Sequence, residues 1–258
     1  MKKPIVIIGL GEMGSVFARG LLKLGHPMYP ITRQTNINTA ADEIDPLLVL
    51  VAVGENDLHP VLENIPEKWQ NKLVLLQNEL LPRDWSKYAW AKATPPTVIS
   101  VWFEKKKGQD SKVLIPSPIY GEHSQIIFDA LASLEIPVKI LNSATELELE
   151  LVIKNVYILT TNIAGLMLEP GTTVETLWQQ HQDLGKAVAN EIIDLQEYLT
   201  SQTFNREQLI SGMVTAMEGD LAHKCMGRSA PARLQRAIQL ATEANLNVAK
   251  LLEISKAN

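Results

Sequence analysis

Residues 4–25 read PIVIIGLGEMGSVFARGLLKLG, and this stretch decides the fold. PIVII (4–8) is a short β-branched run, the pattern of a parallel strand buried on both faces. It leads directly into Gly9-Leu10-Gly11-Glu12-Met13-Gly14. Val16, Phe17, Leu21, Leu22 and Leu24 then recur near helical spacing, and Gly25 stands where a C-cap belongs. A strand, G-x-G-x-x-G and a helix in succession give each glycine a mechanical task. Gly9 allows the tight turn out of the strand, Gly11 lets a pyrophosphate approach the backbone, and Gly14 lets the helix lie close to the strand. The N–H groups of the first helical turn, with the positive end of the helix dipole behind them, would face the phosphates.

The choice of dinucleotide falls to a residue about 20 positions further on, where a carboxylate suits the ribose hydroxyls of NAD and an arginine suits the 2′-phosphate of NADP. The second strand is expected to end near Ile31-Thr32-Arg33-Gln34, and no Asp or Glu follows Glu12 until Asp42. Arg33 occupies the discriminating place, where its guanidinium can pair with a phosphate through two N–H groups. NADP (NADPH) is therefore the expected cofactor. Pro27 and Pro30 are read as flanking this strand and remove ladder donors, which predicts a short strand with its end displaced by a residue or two.

LLVLVAV (47–53) reads as a strand covered on both faces, LHPVLENI as a short helix after a turn at Gly54–Asp57, and LVLLQ (73–77) as the next strand. TVISVWF (97–103) and KVLIPS (112–117) read as later strands, an antiparallel pair across a solvated tip at Lys105–Lys107. HSQIIFDALASL (123–134) is an amphipathic helix and PVKIL (137–141) an edge strand. Alternating strands and helices with short loops predict a doubly wound, mostly parallel α/β sheet. Too few residues separate Arg33 from Leu47 for the usual extra helix and strand, so one βα unit is expected to be absent or reduced to a loop. Ligands of such sheets lie beyond the carboxyl ends of the strands. That places Gly9–Gly14, Val53 to Asn56 and Gln77-Asn78-Glu79 on the ligand side, with the Asn78 amide able to orient a carboxamide or a substrate oxygen.

From residue 144 the pattern becomes helical, which predicts a domain boundary between 142 and 143 and an all-α C-terminal domain over 143–258. Continuous helical spacing is read over 174–199, 205–226 and 229–254. The helix entered at Glu146 is apolar nearly all round, the mark of a buried spine. Yet Lys154, Ile158, Thr161, Asn162 and Gly165 share one of its faces, and Lys154 and Asn162 are about 12 Å apart along the axis. A lysine on a buried helix is costly unless paired or functional, so this polar stripe is a candidate substrate site.

Composition narrows the function classes. The chain has 258 residues, 46% of them apolar, and a net charge of −5, which argues against a counterion-displacing nucleic-acid binder. One cysteine, Cys225, and five scattered histidines offer neither a disulfide framework nor metal-ligand spacing. No apolar run reaches about 18 residues and the N-terminus lacks the pattern of a signal peptide, so no membrane association is expected and a cytoplasmic location is.

IIGLGEMGSVFARGLLKLGH is similar to the opening of the 6-phosphogluconate and β-hydroxyacid dehydrogenase superfamily, and the whole chain resembles the ketopantoate reductases. The resemblance implies a Rossmann domain followed by a helical domain. It implies a strand-end asparagine, here Asn78 in LLQNEL, and a catalytic lysine, here Lys154 in VIKNVYILTTN. Asn162 matches the family's second helix asparagine, and Asp220 in TAMEGD matches the aspartate of its serine–x–x–x–aspartate pattern. Elsewhere the chain departs from the family. Gly54 stands where the family has a lysine, Ile158 replaces an asparagine, Ala216 replaces the serine, and Met226-Gly227-Arg228-Ser229-Ala230 occupies the stretch of an expected glutamate. Arg228 and Arg233 offer an alternative hold on an anionic substrate, or are simply solvated.

These readings imply an NADP-dependent reductase of a small 2-keto acid or related carbonyl. Catalysis would fall to Lys154 and Asn78, cofactor binding to Gly9, Leu10, Gly11, Glu12, Met13, Gly14, Arg33 and Val53, and the substrate side to Asn162 and Asp220. A homodimer is expected. The competing expectation is an NADP-binding regulatory or interaction module that has lost catalysis.

Overall fold

The computed structural model describes residues 2–258. The chain divides into two compact units, Met1–Glu150 and Leu151–Asn258.

In the first unit the opening run forms β1 (Ile5–Ile8) and the helix after the glycines is α1 (Glu12–Lys23). There follow β2 (Met28–Ile31), α2 (Ile37–Glu43), β3 (Leu48–Val51), α3 (Glu55–Glu63), a 3₁₀ turn (Glu67–Lys72) and β4 (Leu73–Leu75). Two short helices, α4 (Pro82–Ser86) and α5 (Ala89–Ala93), precede β5 (Thr97–Ile99), and then come β6 (Phe103–Glu104), β7 (Lys112–Val113), β8 (Ser117–Tyr120), α6 (Ser124–Ala132) and β9 (Val138–Ile140). Among the described residues the main sheet has seven strands in the order β2-β1-β3-β4-β5-β8-β9. The first five pair in parallel, β8 runs antiparallel to β5, and β9 is parallel to β8. The fold is thus the doubly wound, Rossmann-type sheet that the glycine motif predicts.

The chain starts in the interior of this sheet, runs outward to β2, and crosses back to β3 on the other side of β1. The carboxyl ends of β1 and β3 therefore flank the point where the winding reverses, which is where such sheets bind ligands. Among the described residues no strand lies outside β2, so one βα unit of the usual half is absent. Its place is taken by α2 rather than by a bare loop, because Asn36 caps that helix by accepting from the N–H groups of Asn38 and Thr39 at 3.1 and 3.2 Å. Pro30 lies within β2 without harm, since an edge strand has one side with no ladder to serve.

The β-branched side chains of β1, β3, β4 and β5 are buried on both faces. On one side Ile5, Ile7, Leu50, Val74 and Ile99 pack with Phe17 and Leu21 of α1 and with Ile127 and Leu131 of α6. The two helices approach so closely that a Cβ on Gly20 would meet the Ala130 carbonyl oxygen at 2.4 Å. TVISVWF is not one strand. Its first half joins the main sheet as β5, and its end turns away to pair with β7 across the lysine tip.

The second unit is helical. The helix α7 (Ala144–Gly165) carries the chain into it, followed by α8 (Val174–Gln180), α9 (Gln182–Thr200), α10 (Arg206–Glu218), α11 (Ala230–Glu243) and α12 (Ala249–Ala257). Of the three long helical runs read from the sequence, the first and third are each broken once and the second ends early. The first breaks at His181, between α8 and α9, and Gly185 of α9 lies beside the Trp178 ring, which a Cβ there would meet in ordinary contact at 3.4 Å. The second ends at Gly219, beyond which the chain finds other backbone partners. The Val174 N–H donates to the His223 carbonyl at 2.8 Å and the Cys225 N–H to the Thr172 carbonyl at 2.9 Å. The third breaks after Glu243, where Asn245 takes a left-handed φ of 53°. No helix among the described residues is long and apolar enough to cross a membrane.

Candidate functional site

In the first unit the three glycines of the opening loop differ in what demands them. Gly9 has φ +94°, and a Cβ on it would stand 2.7 Å from the Ala52 carbonyl oxygen. A Cβ on Gly14 would lie 2.2 Å from the Gly9 carbonyl oxygen. Both are glycine because the fold leaves no room. Gly11 is different: it is the N-cap of α1 in ordinary extended geometry (φ −71°), and a Cβ there would meet nothing within 4 Å. Among the described residues neither packing nor backbone conformation requires a glycine at 11. A molecule passing over the start of α1 would. The cap residue has no side chain to accept from the first-turn N–H groups, and Leu10 beside it is half exposed.

The neighbouring strand ends lie on the same edge of the sheet. Arg33 stands two residues beyond β2, its side chain 96% exposed and 3.7 Å from the Asp57 carboxylate on α3. Val53 follows β3 and leads to Gly54, the N-cap of α3. After β4 the buried Gln77 ties two strand ends together. Its Nε2 donates to the carbonyls of Val51 at 2.7 Å and Val53 at 3.3 Å, while its Oε1 accepts from the Leu76 N–H at 3.1 Å. Sequence reasoning passed over Gln77 in favour of Asn78. The signal was available: an amide at the last position of a buried run must find partners, and the adjacent strand end supplies them. Asn78 comes next, half-buried, and Glu79 turns the chain with φ 59°.

The lysine tip is not solvated throughout. Lys106 and Lys107 are exposed, but Lys105 folds back, donating to the carbonyls of Lys106 and Gln109, with its Nζ 3.9 Å from the Glu12 carboxylate at the glycine loop.

In the second unit α7 carries its polar stripe as the spacing predicts. Lys154 is only 3% exposed, and Asn155, Thr160 and Thr161 are buried with it. Thr161 donates to the Tyr157 carbonyl at 2.8 Å, and Asn155 donates to the Gln196 amide oxygen of α9 at 3.0 Å. Asn162 accepts from Arg233 Nη1 of α11 at 2.9 Å. Asp220 lies just past the end of α10, with its carboxylate 3.7 Å from His223 Nδ1, and the His223 ring is tilted against Tyr157 at 6.5 Å. The structure thus joins Asn162 to Arg233, and the loop after α10 to α7, links that the sequence did not specify. Ala216 is fully buried in α10.

No protein-family model matches the chain, and no curated protein matches it in sequence. Solved structures do. The chain is similar to a dimeric ketopantoate reductase from Staphylococcus aureus, with 16% identity over 98% of each chain and a TM-score of 0.60. It is similar to a PanE/ApbA family ketopantoate reductase from Ralstonia eutropha JMP134, with 13% identity over 98% of this chain and 96% of that one and a TM-score of 0.68. It is also similar to a D-mandelate dehydrogenase solved with NADH, with 10% identity over 98% of this chain and 96% of that one and a TM-score of 0.62. At these identities the likeness is one of architecture, and it spans both units: this chain has the ketopantoate reductase fold.

Proposed function

We propose that the protein is an NADP-dependent oxidoreductase that reduces a small 2-keto acid or a related carbonyl, with residues 1–142 binding the cofactor and 143–258 serving the substrate and a homodimer contact. The observation that carries the reading is Gly11, a glycine that neither conformation nor packing requires, at the head of a helix at the switch point of the sheet. Open space over that position fits a pyrophosphate against the backbone. Gly9, Leu10, Glu12, Met13, Gly14 and Val53 form the remaining cradle, and the exposed Arg33 guanidinium suits a 2′-phosphate. The shared fold with ketopantoate reductases and with a dehydrogenase solved with NADH supports a nicotinamide cofactor. The dimeric state of one of them supports self-association, and the absence of a membrane-spanning helix among the described residues accords with a cytoplasmic location.

The cofactor supplies the hydride. The protein's part is to hold, orient and donate a proton. Lys154 Nζ donates a hydrogen bond to the substrate carbonyl and then the proton that completes the alcohol. Asn78 orients the carbonyl or the carboxamide, and Asn162 and Asp220 line the substrate side. Replacing Lys154 by Ala is expected to lower turnover by about 10²- to 10⁴-fold, the usual contribution of a positioned acid, without changing NADPH affinity. Steady-state rates with a panel of 2-keto acids, beside a direct NADPH titration, check this, and unchanged turnover defeats it.

A second reading has its own support. Gly54, Ile158 and Ala216 replace polar residues of the family pattern, and Ala216 is fully buried in α10. The chain would then bind NADP as a regulatory or interaction module. Tight NADPH binding with no turnover across the panel would establish that reading.

A further inference from the structure

We infer that Lys105, carried to the glycine loop by the β6–β7 hairpin, supplies the cation for the diphosphate of the cofactor, an inference that rests on the reductase reading above. The base of the hairpin is fixed to α1. Phe103 is buried, and its ring lies against that of Phe17 with centroids 6.1 Å apart and planes tilted by 38°. Val113, opposite Phe103 in the ladder, packs against the same core, as does Met13 of α1. The Leu114 N–H donates to the Trp102 carbonyl at 2.8 Å and extends the pairing. The chain then reverses over 106–109, where the Gln109 N–H donates to the Lys106 carbonyl at 3.1 Å and Gly108 takes the left-handed φ of +74°.

That turn gathers the Lys105 ammonium and points it at the loop. Lys105 Nζ donates to the Lys106 carbonyl at 3.0 Å and to the Gln109 carbonyl. The tip lysines differ in consequence: the Lys105 side chain is 17% exposed, Lys106 pairs with Glu104 at 3.0 Å, and Lys107 is exposed. The Glu12 carboxylate stands 3.9 Å from Lys105 Nζ, near enough for an ion pair and too far for a hydrogen bond. Glu12 is the first residue of α1, next to Gly11, over which the phosphates are proposed to lie. Its negative charge suits the helix dipole in the free protein but repels a diphosphate arriving at the same place. Lys105 offsets Glu12 before binding and turns to the phosphate oxygens after it, since an ammonium on a flexible stem acts on phosphate as a point charge with rotatable donors. NADP and NAD share the diphosphate, so Lys105 adds affinity for both and discriminates between neither, unlike Arg33.

The test is calorimetric titration of the full chain with NADPH, NADH and ADP, in the wild type, Lys105→Gln, Lys105→Arg, Glu12→Gln and Lys107→Gln, with thermal unfolding of each variant alongside. Loss of a charge-assisted contact predicts that Lys105→Gln weakens all three ligands by a common factor of roughly 10- to 100-fold. Lys105→Arg, which keeps the charge, restores most of the loss. Glu12→Gln tightens all three by roughly threefold, and Lys107→Gln, the same charge change on the exposed tip, leaves them within about twofold. Where Lys105→Gln fails to fold, the tightening in Glu12→Gln reads the same charge balance with the hairpin intact. If wild type binds NADPH and NADH and the Lys105 variants bind them equally well, the reductase reading stands and this inference is overturned. A fall confined to NADPH, an equal fall in Lys107→Gln, or weaker binding in Glu12→Gln also overturns it. If wild type binds ADP through Lys105 but neither nicotinamide nucleotide, the diphosphate site stands and the reductase reading fails. If wild type binds none of the three, both are overturned.

Discussion

Alanine at Gly11 and alanine at Gly14 should separate ligand binding from folding, although the two positions lie within one turn. At Gly14 the new methyl would stand 2.2 Å from the Gly9 carbonyl oxygen and 3.2 Å from Ala52 Cβ. The carbonyl belongs to backbone that is itself held at φ +94°, so relief requires α1 and β1 to move apart. Overpacking of this kind costs about 1–3 kcal/mol or more, which lowers Tm by roughly 3–10 °C in a protein of this size. At Gly11 two small terms oppose each other. Restricting the unfolded chain stabilises by about 0.4–1 kcal/mol, and alanine is a poorer N-cap by a similar amount. With no atom within 4 Å of the new methyl, the net change should stay within about 1 kcal/mol. On the proposed function, the same methyl would stand where the pyrophosphate is to meet the backbone. Losing one charge-assisted hydrogen bond there costs about 1.5–3 kcal/mol, a fall in NADPH affinity of roughly 10- to 100-fold. Thermal unfolding and NADPH fluorescence titration on both variants read the two effects apart. Wild-type NADPH affinity in Gly11→Ala, or a loss of stability there equal to that of Gly14→Ala, would rule out a ligand over Gly11.

Two further expectations follow from single side chains. Arg33→Ala should leave Tm unchanged, because its exposed pair with Asp57 contributes at most about 1 kcal/mol, yet weaken NADPH roughly 10- to 100-fold with NADH affinity unaltered; calorimetric titration with both nucleotides checks it. Burial pushes the Asp84 carboxyl above its usual range, with the Leu81 N–H at 2.8 Å and the nearby His59 opposing. The folded state therefore holds this proton more tightly than the unfolded state. Asp84 weakens the fold progressively as pH rises from about 4 through the raised value. Asp84→Asn keeps an acceptor for the Leu81 N–H and removes that loss, so its stability relative to wild type should improve from pH 4.5 to pH 7.5 in urea unfolding; a relative decline over that range contradicts the account.

Much of the first unit was legible because its signals are local. The run at 4–8, the glycines and the helical spacing after them all lie within one βα unit, and the shortage of residues between Arg33 and Leu47 announced the absent strand. What was not legible depends on distant partners. The end of α10 at Gly219 is decided by carbonyls and N–H groups near residues 172–174, some 50 positions away. Helical spacing continues through LAHKCM, so periodicity alone carried the helix too far and put Asp220 on it. The fold-back of Lys105 toward Glu12 joins a hairpin tip to a glycine loop, and a charge run in isolation reads as solvated. On the candidate site, the stripe on α7 was visible from spacing because a helix fixes which residues share a face. The joining of Arg233 to Asn162 was not, since it rests on how α11 is packed and no short-range pattern encodes it.

The loop Gly9–Gly14 is proposed to grip a dinucleotide. The most direct measurement is an isothermal titration of the purified chain with NADPH and, separately, NADH. Saturable one-site binding of NADPH in the micromolar range, tighter than that of NADH, is the predicted result. Failure to saturate with either nucleotide at millimolar concentration would contradict it.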